Sequence, residues 1–357
     1  MKTTSTVHSP EERLAQRELG ERLALRSQWR LLACVSILRT AVTRIMPLAG
    51  AATWWMTLVC LLPGLVLYWL GCLGLRITKA ASLPEGAKLA LGKAGAWLVC
   101  ALAAVALGVD ALSAITALIT LFTEGIGTQG TQWTLALAAA GLLLFALNGE
   151  ALARGVYFLR VPVVALLGAV LLGLVSGARL DHLFPVLGDG VSSLWAAFQA
   201  GAGAGWVFLL PLLQVPTKES RWREPLPPVG LCIAALLCLN LALPHELLSN
   251  QNALGDCLVL TVAHLPAFVR LMALCLWMAT LFLALGSGVS LCAGQLLAPT
   301  GRRVVWLPGV LALAAAATQL LDIPELWTQL GALERWLLAV PGVGAGVSLL
   351  LCWRKRK

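Results

Sequence analysis

Long apolar stretches, separated by short polar segments, follow one another along almost the whole chain. A membrane-spanning helix needs roughly 20 consecutive apolar residues, and ten windows of about that length stand out. They cover residues 31–49, 53–75, 94–122, 132–148, 157–176, 191–215, 227–244, 264–297, 304–321 and 335–353. The pattern predicts an all-α polytopic membrane protein with ten transmembrane helices, which we number as spans one to ten.

The segments outside the spans divide the chain into three parts. Residues 1–30 are polar and mixed in charge, and their leucines alternate with charged residues as in a weakly amphipathic helix on the cytoplasmic leaflet. Residues 31–353 form the ten-span membrane domain, and residues 354–357 form a basic cytoplasmic tail. The connectors hold turn and breaker clusters, such as Ser82 to Gly86, Gly125 to Gly130 and Pro225 to Pro228.

Composition agrees with a membrane protein and excludes a water-soluble globular enzyme. The 357 residues are 59% hydrophobic and 12% charged, with a mean hydropathy of +0.85, whereas soluble domains carry roughly 25% charged residues. The net charge of +9 does not imply nucleic acid, because the basic residues lie between apolar runs. The lipid bilayer is the partner that this pattern predicts.

The distribution of Lys and Arg predicts the orientation. Counting alternate loops from a cytoplasmic N-terminus places 21 of the 26 basic residues inside, and only Arg179 and Arg335 outside. Arg39, Arg44 and Arg270 lie in or near apolar runs. By the positive-inside rule both termini are cytoplasmic. The chain is therefore expected to be a multi-pass protein of the cell membrane with its N-terminus and C-terminus inside.

The sequence contains no visible carrier of catalysis, metal binding or cofactor binding. Nine of the ten cysteines fall in or beside apolar runs and none forms a CxxC pair, so they are expected to act as small apolar side chains. His182 and His245 fall in outer loops, and no histidine pair has metal-ligand spacing. We expect neither an enzyme, nor a metal site, nor a cofactor.

Spans one and six carry helix breakers in corresponding positions of a five-plus-five arrangement. A break inside a span must be packed by neighbours or line a cavity, and inverted-repeat transporters place such broken helices at their binding site. The sequence therefore predicts an inverted repeat with broken helices 1 and 6. The candidate ligand-binding residues there are Thr40, Thr43 and Arg44, before Pro47, and Gly201, Gly203 and Gly205.

Each of these features has a structural alternative. We expect Gly201 to Gly205 to be non-helical and to line a cavity, but close helix packing through small residues would also explain the glycines. Arg44 could instead reach the outer boundary by snorkelling. Asp110, midway along span three, is a further candidate that could pair with an arginine of span one, relay a proton or be a satisfied structural acid. Ser287 in span eight is the last candidate, with small-residue packing as its alternative.

Three stretches resemble the spore germination permease family, the B subunits of germinant receptors within the amino acid-polyamine-organocation superfamily. Gly149 to Arg154, which includes Glu150, resembles the family's Gly-Glu-x-x-Ala-Arg run before span five. The stretch LDHLFPVLGDG, with Pro185, is similar to its outer loop before span six. Arg270 and Trp277 resemble the Arg-x6-Trp pattern of span eight.

The resemblance implies a ten-helix inverted-repeat fold that senses a small nutrient germinant, often an amino acid, at the spore inner membrane. It also implies two partners, a companion germinant-receptor membrane subunit and a lipoprotein. Relatives tend to have a glycine-bearing break in span one, where this chain has LRTAVTRIMP. Two alternatives stay open, a secondary transporter of an amino acid or amine coupled to protons or sodium, and a membrane scaffold that binds no ligand.

The charge bias makes the orientation testable. In a cysteine-free background, single cysteines placed at Lys88, Arg221 or Arg302 are expected to react only after the membrane is permeabilised, because all three loops are predicted to be cytoplasmic. An impermeant maleimide added to intact cells is the measurement, and a cysteine at Arg335 is the outward-facing control. Labelling of position 221 from outside would contradict the orientation.

Overall fold

The computed structural model describes residues 26–80, 82–125, 154–158, 161, 165, 168, 178–213, 223–248, 286 and 346. These residues are helical or lie in turns and connectors, and none of them is in a β-strand. Within them, three apolar helical stretches are long enough to cross a membrane, Arg26–Ile77, Leu91–Asp110 and Val191–Leu213. The chain is therefore all-α where it is described, with the composition and helix lengths of a membrane protein.

The first stretch consists of two helices that meet at Gly50. Helix α1 is α-helical over residues 26–40, forms a π-helix at Ala41–Ile45 and ends in the turn Met46–Ala49. A 3₁₀ turn at Gly50–Ala52 leads into helix α2, Thr53–Thr78. Gly50 has φ +50° and ψ −119°, a conformation that glycine adopts without the steric cost of a side chain. The helix direction is broken there.

The buried residues show that α1 and α2 fold back on each other. Those next to the Gly50 turn, including Ile45, Met46 and Met56, share one apolar cluster. Those far from it on both sides, including Leu32 and Tyr68, share another. Residues close to the turn on both helices thus share one cluster, and residues distant from the turn on both helices share the other. This is the pattern of a helical hairpin. The hairpin corresponds to the predicted spans one and two.

Helix α3, Leu83–Gly125, is interrupted at Gly92, where φ is +72° and ψ is −159°. Its second part contains the predicted span three. The predicted breaker at Ser82 to Gly86 is instead a helix start, because Pro84 lies in the first turn, where a missing N–H costs nothing. The same applies to Pro225 to Pro228, since a helix begins at Leu226.

Helix α4 covers the predicted span six and changes helix type in its middle. It is α-helical at Val191–Gly201, 3₁₀-helical at Ala202–Leu209 and α-helical again at Leu210–Leu213. The expectation that Gly201 to Gly205 is non-helical was therefore wrong, although the segment does leave α-helical geometry. Eight residues of 3₁₀ helix is long for this type, whose runs rarely exceed about three or four.

Helix α5, Leu226–Ala242, corresponds to the predicted span seven and is followed by one turn, His245–Leu248. Five of the ten predicted spans thus coincide with helices. Spans four and nine lie outside the described residues, as do residues 1–25 and 354–357 of the tails. Only single residues or short pieces of three further spans are described, namely 157, 158, 161, 165 and 168 of span five, 286 of span eight and 346 of span ten.

Helices α2 and α4 approach until their backbones touch, at Gly64 and Gly205. A Cβ added to Gly205 would lie 2.7 Å from Gly64 Cα and 3.0 Å from Gly64 N, closer than real Cβ contacts allow. Inside a bilayer, lipid tails compete with apolar side chains, so helices associate through van der Waals packing at small residues. The glycines of α4 therefore serve at least this packing role.

The close contact predicts a sharp response to one methyl group. Gly205→Ala should force α2 and α4 apart and lower the free energy of unfolding by about 1–3 kcal/mol, the usual cost of overpacking. The measurement is thermal unfolding of the purified protein in detergent. Gly230→Ala on α5 is the matched control, because an added Cβ there meets nothing within 4 Å. Equal melting temperatures for the two variants would contradict the contact.

Candidate functional site

A buried ion pair joins α1 to α3. The Arg39 guanidinium donates through one Nη to the Asp110 carboxylate at 2.5 Å and through the other to the Asp110 backbone carbonyl at 2.9 Å. Ser36 donates its hydroxyl to the same carboxylate oxygen at 2.9 Å. The side chains of Arg39 and Asp110 are only 6% and 5% exposed. The expectation that Asp110 could pair with an arginine of span one is confirmed.

The pair lies deep in the helical bundle. Arg39 is thirteen residues beyond Arg26 along α1, which is about 20 Å of α-helix at 1.5 Å per residue. An isolated charge at the centre of a span costs roughly 2.5–3.5 kcal/mol on insertion scales, and charged side chains at such depth face the protein interior. Pairing makes the site electrically neutral and explains how this chain holds both groups in apolar surroundings.

The helix changes geometry immediately after Arg39 and Thr40. Ala41 to Ile45 form a π-helix, in which the Met46 N–H donates to the Ala41 carbonyl. Pro47 has no N–H, so the preceding turn loses one helical bond. Thr43 donates its hydroxyl back to the Arg39 carbonyl at 2.8 Å. Isolated π-turns of this kind occur frequently at functional sites.

The π-helical turn of α1 rests directly on the point where α4 becomes 3₁₀-helical. A Cβ at Gly201 would lie 2.6 Å from Ile45 Cδ1 and 2.8 Å from Cys60 Sγ. Cys60 in turn donates its thiol to the Ala197 carbonyl at 3.8 Å. The two helices that the sequence singled out for breakers therefore meet at their irregular turns.

A second polar cluster, which we call the Gly50 clasp, surrounds the Gly50 turn and consists of Asp189, Asn240 and His245. His245 accepts the Ala51 N–H on Nδ1 at 3.1 Å, and its Nε2 faces Asp189 Oδ1 at 3.1 Å. Because Nδ1 is an acceptor, the neutral ring carries its proton on Nε2 and donates it to Asp189. Asn240 donates its amide to the Ala51 carbonyl at 2.6 Å and to the Gly50 carbonyl at 3.3 Å.

The predicted site residues fall into three groups. Asp110 is a member of the ion pair, and Thr40, which follows Arg39, is buried, whereas Thr43 is exposed and Arg44 is half-buried. Gly201, Gly203 and Gly205 are buried, and the first and last of them contact neighbouring helices closely. Ser287 lies outside the described residues.

The residues that carry the family resemblance are mostly beyond the described part. Arg154 is exposed on a short helical segment, 154–158, and Pro185 is exposed and follows a cis peptide bond. Glu150, Arg270 and Trp277 lie outside the described residues. The roles of these five residues therefore stay predictions.

The predicted site residues did not include Ser36, Arg39 or the Gly50 clasp. The signal for Arg39 was present, since it is an arginine inside an apolar window and lies one helical turn after Ser36. Nothing local marks Asp189, Asn240 and His245 as neighbours, because they are brought together only by the packing of separate parts of the chain.

The described residues contain no group of three His, Cys, Asp or Glu side chains that could hold a metal ion. Comparison with known proteins adds no assignment: no family model matches the chain, and a search of curated proteins finds no match. The site must therefore be interpreted from its own geometry.

Removing one member of the ion pair should be more damaging than removing both. Asp110→Asn leaves the Arg39 charge buried without its counterion, and breaking a buried pair in this way costs roughly 3–5 kcal/mol. The double variant Arg39→Met with Asp110→Leu should recover most of this loss, because it leaves no unpaired charge.

Thermal unfolding in detergent compares the variants with the wild type. Ser36→Ala serves as the control and should cost less, since it removes one hydrogen bond to the carboxylate, worth roughly 1.5–3 kcal/mol, and leaves the ion pair intact. If Asp110→Asn has the same melting temperature as the wild type, the ion pair does not hold α1 against α3.

Proposed function

We propose that this chain is a ten-span protein with an inverted repeat that binds a small polar nutrient, of which an amino acid is the best representative, where spans one, three and six meet. Binding would shift the conformation of the bundle and signal to companion subunits, as a germinant-receptor permease does. The spore context comes from the sequence resemblance alone. The location of the binding region is supported by the structure of the described helices.

The packing of two irregular turns is the observation that carries this proposal. The π-helical turn of α1 and the 3₁₀ turn of α4 lie against each other through Ile45 and Gly201. Transporters with inverted repeats bind their substrates at two irregular helices in corresponding positions of the two halves. The neighbouring Arg39 and Asp110 pair supplies a cation and an anion, which are the two charges that an amino acid zwitterion requires.

A secondary transporter is the second candidate, and the ion pair is the observation that favours it. Carboxylates buried within spans take part in proton relays of pumps and transporters. Protonation of Asp110 would remove the negative charge that pairs with Arg39 and would weaken the hydrogen bond from Ser36, which couples a proton to the position of α1. The receptor and the transporter would then differ in whether the ligand leaves on the other side.

The third candidate is the scaffold that binds no ligand. Close contact between Gly64 and Gly205 explains part of the glycine-rich segment by packing alone. This contact does not account for the charged pair, because apolar side chains of similar volume often stabilise a buried site as well as an ion pair does, or better. We therefore place the scaffold last.

Gene deletion separates the first two candidates. If the chain is a receptor subunit, the deletion strain should lose spore germination in response to one nutrient class while vegetative growth and amino acid uptake stay intact, because binding energy shifts a conformational equilibrium and need not drive flux. Germination assays and uptake of labelled amino acids are the measurements. Normal germination together with lost uptake of one amino acid would establish the transporter instead.

Complementation with variants connects the phenotype to the site. A copy carrying Gly203→Leu should fail, because Gly203 is buried in the 3₁₀ segment. A copy carrying Gly230→Ala should succeed, since that position is open. Immunoblots of membrane fractions show whether both copies are present at equal levels.

A further inference from the structure

The segment Leu180–Val191, which ends at the first residue of α4, exposes a series of large apolar side chains. They are Leu180, Phe184, Val186, Leu187 and Val191, with exposed fractions of 76%, 65%, 49%, 56% and 75%. Contiguous apolar surface of this kind marks a contact with a membrane or with another protein. A segment that simply projected into water would be expected to expose polar side chains instead.

Hydrogen bonds hold this segment beside the ends of α1 and α2 that meet at the Gly50 turn. Trp55, in the first turn of α2, donates its indole N–H to the Val186 carbonyl at 3.1 Å. Ser193 donates its hydroxyl to the Leu48 carbonyl, and the Gly188 backbone lies against the Ala49 carbonyl. The apolar side chains are therefore at the depth where α1 ends and α2 begins.

The exposed surface of α2 continues into this segment. Leu58, Leu62 and Val66 are 40%, 47% and 49% exposed and share one face of the helix by their spacing of four. Trp55 lies on the same face, one turn closer to the outer end, and bonds to Val186. An apolar face of a membrane-spanning helix that is open to this extent contacts lipid, and tryptophan is enriched at the headgroup level.

The carboxylates of this segment flank its apolar residues. Asp181 is exposed three residues before Phe184, and the Asp189 side chain faces His245 of the Gly50 clasp and is 56% exposed. At the headgroup level, carboxylates at the two ends of the segment can reach water while the side chains between them contact lipid. We propose that Leu180–Val191 is an interfacial segment whose Phe184, Val186 and Leu187 side chains insert into the phospholipid leaflet nearest the outer ends of α1 and α2. This contact with the bilayer does not depend on the proposed ligand.

Site-directed fluorescence tests the proposal on the full chain. A single cysteine replaces Phe184 or Leu187 in a cysteine-free background and is labelled with an environment-sensitive dye. The labelled protein is then reconstituted in vesicles of phosphatidylethanolamine and phosphatidylglycerol that contain nitroxide lipids. Asp181→Cys is the water-facing control in the same segment. Leu62→Cys, in the middle of α2, is the control for deep burial in lipid.

The expected result is a blue-shifted emission at positions 184 and 187, with stronger quenching by nitroxides near the headgroup than by nitroxides near the chain end. The Leu62 probe should show the reverse order, and the Asp181 probe should respond to aqueous iodide. Iodide quenching at 184 and 187 equal to that at 181 would overturn the proposal. Shielding from both quenchers in native membranes, with cross-linking to another polypeptide, would assign the surface to a protein partner and overturn it as well.

Discussion

Ionisation of Arg39 and Asp110 inside an apolar bundle is the constraint on which the arrangement of α1 and α3 depends. Each charge is stable at this depth only in the presence of the other. The guanidinium holds both the carboxylate and the backbone carbonyl of Asp110, and Ser36 bonds to the same carboxylate one turn earlier. Because two turns of α1 contact one residue of α3, a rotation or slide of α1 would lose several bonds together.

Much of the helical framework could be predicted from sequence, because a bilayer makes length and apolarity decisive. The expected starts of span two at 53 and of span six at 191 coincide with the first residues of α2 and α4. Breakers were harder to interpret. Pro84 and Pro227 lie in the first turns of helices, whereas Gly92 interrupts a long helix without a composition that marks it.

The candidate site was predictable in part, for a physical reason. An acid inside an apolar window requires a partner, so the sequence pattern alone could connect Asp110 to an arginine of span one. Which arginine it is depends on helix rotation, and the structure selects Arg39. The Gly50 clasp depends on the packing of separate parts of the chain around Gly50, and no periodicity of the sequence encodes that.

Helix α1 is fixed at three levels, and its irregular turn lies between two of them. Arg30 bonds to Glu224 at 3.0 Å near the start of α5, Arg39 holds Asp110, and the Gly50 turn is held by Asn240 and His245. A conformational change within α1 would therefore be concentrated between Arg39 and Gly50, where the π-turn and Pro47 lower the number of regular bonds to be broken. That same stretch contacts Gly201 of α4. A ligand can shift an equilibrium between two conformations of α1 only if it makes different contacts with each of them. At this junction the described helices place a charged pair beside a turn with few regular hydrogen bonds.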